Sequence, residues 1–119
     1  MKYLIMVQVN PSVRQMWDEM SAEEQAAGYA AHAKAREAMA ASGELIVSEA
    51  LADVSLGKRV IVKDGTPMTT DGPFAEVKEY LAGFYLVECE NIDRAIEHAA
   101  RLPEAALGLV EVRPVLDMP

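Results

Sequence analysis

Tyr80-Leu81-Ala82-Gly83-Phe84-Tyr85-Leu86-Val87-Glu88 is the stretch that decides the fold. A strand turns successive side chains to opposite faces, and here both faces are apolar. Phe84 and Leu86 point one way; Leu81, Tyr85 and Val87 point the other. A strand buried on both faces is central in its sheet. The opening of the chain repeats the pattern. Tyr3, Ile5, Val7 and Val9 share one face of residues 2–9, with Leu4 and Met6 on the other. Asn10-Pro11-Ser12 then turns the chain into a short helical piece carrying Val13, Met16, Trp17 and Met20.

Working outward, Ser21-Ala22-Glu23-Glu24 is a capping box, and the Ala-rich helix it opens runs to about Ser42. Gly43 stands where a C-terminal cap belongs. Leu45-Ile46-Val47 and Arg59-Val60-Ile61-Val62-Lys63 are strands. Asp64-Gly65 after the second makes a hairpin whose return arm is Met68-Thr69-Thr70. Pro67 confines that arm to a sheet edge or a projection. Asn91 caps a second helix, with Ile92, Ala95, Ile96, Ala99 and Leu102 on one side. Pro103 ends it, and Leu109-Val110-Glu111-Val112-Arg113 is the last strand.

The order is β-α-β-β-α-β with a hairpin inserted before the strand at residues 80–88, a ferredoxin-like α+β arrangement. Two helices cover only one face of its antiparallel sheet. The uncovered face still carries apolar side chains, and a second copy of the chain covers it at least cost. The expectation is one domain over residues 1–119, assembling as a homodimeric α+β barrel through the open sheet face.

The chain has 119 residues, 51% hydrophobic, with a net charge of −8 and no Lys/Arg run. That balance argues against direct nucleic-acid binding and against an anionic membrane surface. Cys89 is the only cysteine, so no intramolecular disulfide forms, which fits a reducing compartment. The apolar N-terminus is too short for a secretory signal, and no stretch is long enough to span a bilayer. A cytoplasmic location is expected.

The first long helix is the most informative for function. At 100° per residue, Glu23, Glu24, Lys34 and Glu37 define its solvent side. The opposite side holds Ala22, Tyr29, Ala33, Met39 and Ala40, together with Gln25, His32 and Arg36. Polar groups on a packing face need partners, or each costs on the order of 1–3 kcal/mol. They are either satisfied structural groups, with Arg36 reaching out past the helix edge, or the lining of a pocket in which His32 moves a proton. His98 falls with Arg94, Glu97 and Arg101 and is expected in solvent. Trp17 covers the core edge rather than capping a pocket, and Cys89 is a small core residue.

Thr70-Asp71-Gly72-Pro73-Phe74-Ala75-Glu76 reads locally as a turn, since Gly permits positive φ and Pro fixes it. A carboxylate on a rigid turn is also suited to orienting an imidazole.

The run Thr70 to Glu79, followed by Leu81-Ala82-Gly83-Phe84-Tyr85-Leu86-Val87, resembles the signature of the DGPF-domain proteins of the YCII-related group. Met1-Lys2-Tyr3-Leu4, the Ser21 capping box, Val62-Lys63-Asp64-Gly65 and Val110-Glu111-Val112-Arg113-Pro114 also look like that family's. The resemblance implies the same dimeric α+β barrel and a histidine–aspartate pair in a cleft beside the sheet. Asp71 matches the aspartate, and His32 lies on the helix where the histidine is expected. Some members of the group resemble small lyases or dehydrohalogenases acting on ring compounds. Others are linked to extracytoplasmic-function sigma factors.

A metal centre is not expected. His32, Asp71 and Glu76 could supply three ligands, but no HxxxH, HxH or Cys pair anchors one. Phosphate cradles and a GxSxG elbow are absent, and no cofactor is implied. The reading is a small-molecule cleft with His32 as general acid/base oriented by Asp71. Gln25, Tyr29, Gly72, Pro73 and Phe74 line it, and Arg36 or Lys78 holds an anionic substrate group. The alternative is a non-catalytic ligand-binding or regulatory partner protein, for example one linked to extracytoplasmic-function sigma factors, and a third reading has Asp71 only shaping its turn.

Overall fold

The computed structural model describes residues 1–73 and 78–119. Its strands are β1 (Lys2–Val9), β2 (Leu45–Ala50), β3 (Lys58–Lys63), β4 (Thr66–Asp71), β5 (Tyr80–Glu88) and β6 (Val110–Pro114). Its helices are α1 (Pro11–Glu19), α2 (Ala22–Ala41) and α3 (Ile92–Ala99). Two 3-10 segments, Val54–Leu56 and Pro103–Leu107, complete it.

Four strands form one antiparallel sheet in the order β2-β5-β1-β6, the ferredoxin-like order expected. β5 is central, as its two apolar faces require, pairing with β1 and β2. Its inner face carries Tyr85 and Val87, which join Tyr3, Ile5 and Val7 of β1 in the core. Ala35 and Met39 of α2 and Ala95 and Ala99 of α3 pack on that same face. Alternation puts Leu4, Met6, Phe84 and Leu86 on the opposite face, away from α2 and α3. β3 and β4 form a separate two-stranded sheet, with Asp64-Gly65 at the turn. Both turn residues adopt the positive φ (52° and 76°) that a tight hairpin demands.

The caps fall where the sequence puts them. Asn10, Ser21 and Asn91 each accept a backbone N–H with the side chain, and Ser21 and Glu24 complete the capping box. Gly43 follows α2 at φ 78°.

Two helix faces differ from expectation. The packing face of α2 runs through Gln25, Gly28, His32, Ala35 and Met39, whereas Tyr29, Ala33 and Arg36 are exposed on its flank. An Ala-rich helix has little hydrophobic asymmetry of its own, so contacts with the rest of the chain set its rotation. In α3 the correction is larger. His98 is fully buried, and Ile92 and Ile96 are exposed. The small residues Ala95 and Ala99 sit at the middle of the contact, and His98 has a carboxylate partner across it in Glu44.

Candidate functional site

A cleft of about 660 Å³ opens between the helix-covered face of the sheet and the helices α1 and α2. α1 crosses the end of α2, and Trp17 is seated over Gly28. A Cβ at position 28 would come within 2.9 Å of the Trp17 ring, so glycine allows this close approach. Trp17 and Tyr29 meet edge to face, 5.2 Å between centroids, at the cleft mouth. The Gln25 amide donates to the Trp17 carbonyl at 2.8 Å and ties the two helices. Trp17 therefore lines the cleft, which corrects the expectation that it covers the core edge rather than capping a pocket.

His32 projects into this cleft with both ring nitrogens engaged. Nδ1 lies 2.7 Å from the Tyr85 hydroxyl. Nε2 lies 2.8 and 2.9 Å from the two Glu104 carboxylate oxygens. Burial pushes the Glu104 carboxyl up, but the hydrogen bond from His32 and a backbone N–H outweigh it, leaving the group below its ordinary range. An ionised Glu104 only accepts, so the network assigns the proton to Nε2. Nδ1 then accepts from the Tyr85 O–H. Burial, reinforced by the Glu104 charge and opposed by Arg36, raises the Tyr85 phenol above its usual value. The result is an ordered relay of phenol, imidazole and carboxylate, with the imidazole fixed from both sides. Arg36 donates from Nε to the Ser48 hydroxyl at 2.7 Å, placing a cation at the rim.

The sequence-predicted residues divide accordingly. His32, Tyr29 and Arg36 line the cleft, and Gln25 braces its wall. Within one chain His32 and Asp71 do not meet. Asp71 is 80% exposed and paired with Lys58 at the base of the β3–β4 hairpin. Its turn places it at the end of an outlying strand, while the inward-facing carboxylate beside His32 comes from Glu104. Gly72 closes the hairpin base, its N–H donating to the Gly57 carbonyl at 2.9 Å with φ 75°. Pro73 is half-buried and Lys78 exposed, and neither is among the described residues lining the cleft. Phe74 and Glu76 lie outside the described residues. Tyr85 and Glu104 are the residues sequence reasoning missed. Tyr85 gave a weak signal, a hydroxyl on a strand face that otherwise carries Leu81 and Val87. Glu104 gave none, because the 3-10 segment that turns it inward has no pattern of its own.

A second polar cluster lies at the other end of the sheet. Glu44 accepts from Arg94 Nε at 3.0 Å, Arg94 Nη2 at 2.9 Å and His98 Nε2 at 2.9 Å. Cys89 joins them, and the donor atoms of Glu44, Cys89 and His98 lie within 4.8 Å of one another. They are the one such three-donor group among the described residues. The Arg94 guanidinium already supplies the cation beside that carboxylate. Arg94, with His98, Ser42 and Cys89, holds Glu44 well below the usual carboxylate range against its burial. Burial and the Glu44 hydrogen bond push the Cys89 thiol up to about 11, so it stays protonated. The cluster is a polar pin between β2, β5 and α3.

The YCII-related domain matches residues 1–119. The chain belongs to the YCII-related family. An uncharacterised Rhizobium meliloti (strain 1021) protein, R00369, is 47% identical over 53 residues, 43% of each chain. The aligned stretch thus spans less than half of that relative. Among solved structures, 5-chloro-2-hydroxyhydroquinone dehydrochlorinase (TftG) from Burkholderia phenoliruptrix AC1100, in complex with 2,5-dihydroxybenzoquinone, matches with a TM-score of 0.54. The match is at 20% identity and covers 98% of this chain and 94% of that one. This likeness establishes the fold, the α+β arrangement reached from the sequence. Among the described residues no helix is long and apolar enough to cross a membrane.

Proposed function

We propose that the cleft binds a small, partly anionic organic molecule and that His32 moves a proton on or off it. The observation that carries this reading is the His32 imidazole held at 2.7 Å by Tyr85 and 2.8 Å by Glu104 in the wall of an apolar cleft. Glu104 keeps the ring in one tautomer, and Tyr85 is the hydroxyl through which a proton enters or leaves. Arg36 offers the charge for an anionic substituent. The chemistry this supports is proton removal followed by loss of a leaving group, a lyase-like step. The dehydrochlorinase likeness lends this support at the level of fold. Asp71 takes no part within one chain on this reading. Homodimerisation through the open face bearing Leu4, Phe84 and Leu86 accompanies it.

Trp17 is the chain's only tryptophan and lines the cleft, so its fluorescence reports occupancy directly. Titration with 2,5-dihydroxybenzoquinone, checked by calorimetry, is expected to perturb Trp17 saturably. Arg36→Met should weaken binding by about tenfold, the worth of one charge-assisted contact. No saturable signal with this quinone or with a panel of hydroxylated aromatic acids would sink the small-molecule reading. Equal turnover by wild type and His32→Gln of any substrate found would sink the acid/base role.

A further inference from the structure

The β3–β4 hairpin forms no part of the four-stranded sheet and stands away from the body. The radius of gyration is 16.3 Å, whereas a compact chain of this length has about 13.5 Å. The molecule measures 48 × 47 × 19 Å, a flat body with an outlying limb. Along that limb Val60, Ile61, Val62 and Met68 are 66%, 57%, 68% and 51% exposed. Ile61 faces Met68 across the ladder on one side, while Val60 and Val62 point to the other. Both faces of the hairpin are therefore apolar and open to solvent.

A lone two-stranded hairpin is marginal in water, and an exposed apolar ribbon invites pairing with another chain. The exposed Val-Ile-Val run is costly unless it is covered. We propose that residues 58–71 are an arm that grips a second copy of this chain. The inference builds on the homodimer reading above and names a contact that reading does not contain.

Charge agrees with that partner. The arm holds Lys58, Arg59 and Lys63 against Asp64 and Asp71, a net +1, which leaves the rest of the chain at −9. An apolar arm with this slight positive excess complements an acidic body, and the nearest acidic body with a second apolar sheet face is another copy. Glu49 and Glu111 lie in register with Phe84 and Met6 on that open face. In a two-fold dimer each arm reaches the other body, so one contact is made twice. The arm is also continuous with the cleft. Asp53 and Val54, just before it in sequence, line the cleft, and the Gly72 N–H to Gly57 carbonyl bond closes the arm base.

The test is sedimentation equilibrium on wild type, Val60→Asp/Val62→Asp and Leu86→Asp, with hydrogen exchange of wild type at high and low concentration. A dimer is expected in wild type. The arm variant should keep a wild-type circular dichroism spectrum, since neither residue reaches the core, and dissociate about tenfold more readily. Arm amides at 60–62 should lose protection on dilution. A monomeric wild type overturns both dimer readings and leaves the cleft reading standing. A dimer unmoved by the arm variant, with arm exchange independent of concentration, overturns the arm alone. Dissociation by Leu86→Asp together with those two results assigns the contact to the open sheet face instead.

Discussion

The Glu44 carboxylate gathers hydrogen bonds from Arg94 and His98, and it explains why an imidazole replaces Ile96 on the packing side of α3. Removing it strands a fully buried His98 and a half-buried Arg94. Glu44→Ala should cost on the order of 3 kcal/mol in urea unfolding. The pH dependence follows from the depressed carboxyl. The native chain keeps Glu44 ionised where the unfolded chain, at about its ordinary value of 4.5, takes up a proton. Its contribution is thus complete above that value and declines as pH falls below it. Glu44→Gln should flatten the acid side of the stability profile measured from about pH 7 to about pH 3. Cys89, buried and protonated, should ignore a thiol reagent in the native state and react on unfolding. At the cleft, His32→Gln should raise the Glu104 pKa, read by carbon-13 carboxyl titration, because the His32 hydrogen bond is what holds it low.

Elements respond to contacts that their own periodicity does not record. α2 presents Gly28 and His32 inward, and Trp17 rests where a Cβ would intrude at 2.9 Å. Alanine there raises helix propensity by about 1 kcal/mol. It also displaces the Trp17 ring, which can move because it is a side chain. Gly28→Ala should therefore hold or raise the melting temperature while shifting Trp17 emission and weakening quinone binding. Gly83 is the contrasting case in β5, where a Cβ would meet the Glu49 backbone carbonyl at 2.9 Å. Backbone cannot step aside, so Gly83→Ala should spread β5 from β2 and cost about 1–3 kcal/mol, read by thermal unfolding.

At the scale of the molecule, the β3–β4 arm exposes apolar surface that one chain leaves uncovered, and the sheet face bearing Leu4, Phe84 and Leu86 lies away from α2 and α3. A dimer couples folding to assembly. The melting midpoint should then rise with protein concentration in calorimetry, and rise less for Val60→Asp/Val62→Asp.

Strand and helix positions, caps, the Asp64-Gly65 turn and the ferredoxin-like order were all legible, because each depends on local periodicity or on residues a few positions apart. The apolar faces of β1 and β5 also declared that the sheet has two sides to cover. His32 was legible too, as a polar group on a packing helix. Its partners were not. Tyr85 and Glu104 lie 53 and 72 residues away, and only the packing of α2 on the sheet and the 3-10 segment after α3 bring them to the ring. The same holds for His98, read as a surface residue until Glu44 met it from 54 residues away. Asp71 lies in the stretch that resembles the family's signature, yet in one chain it sits on the arm beside Lys58. Local pattern fixes where a side chain emerges from its element; which carboxylate it meets is decided by packing between distant elements.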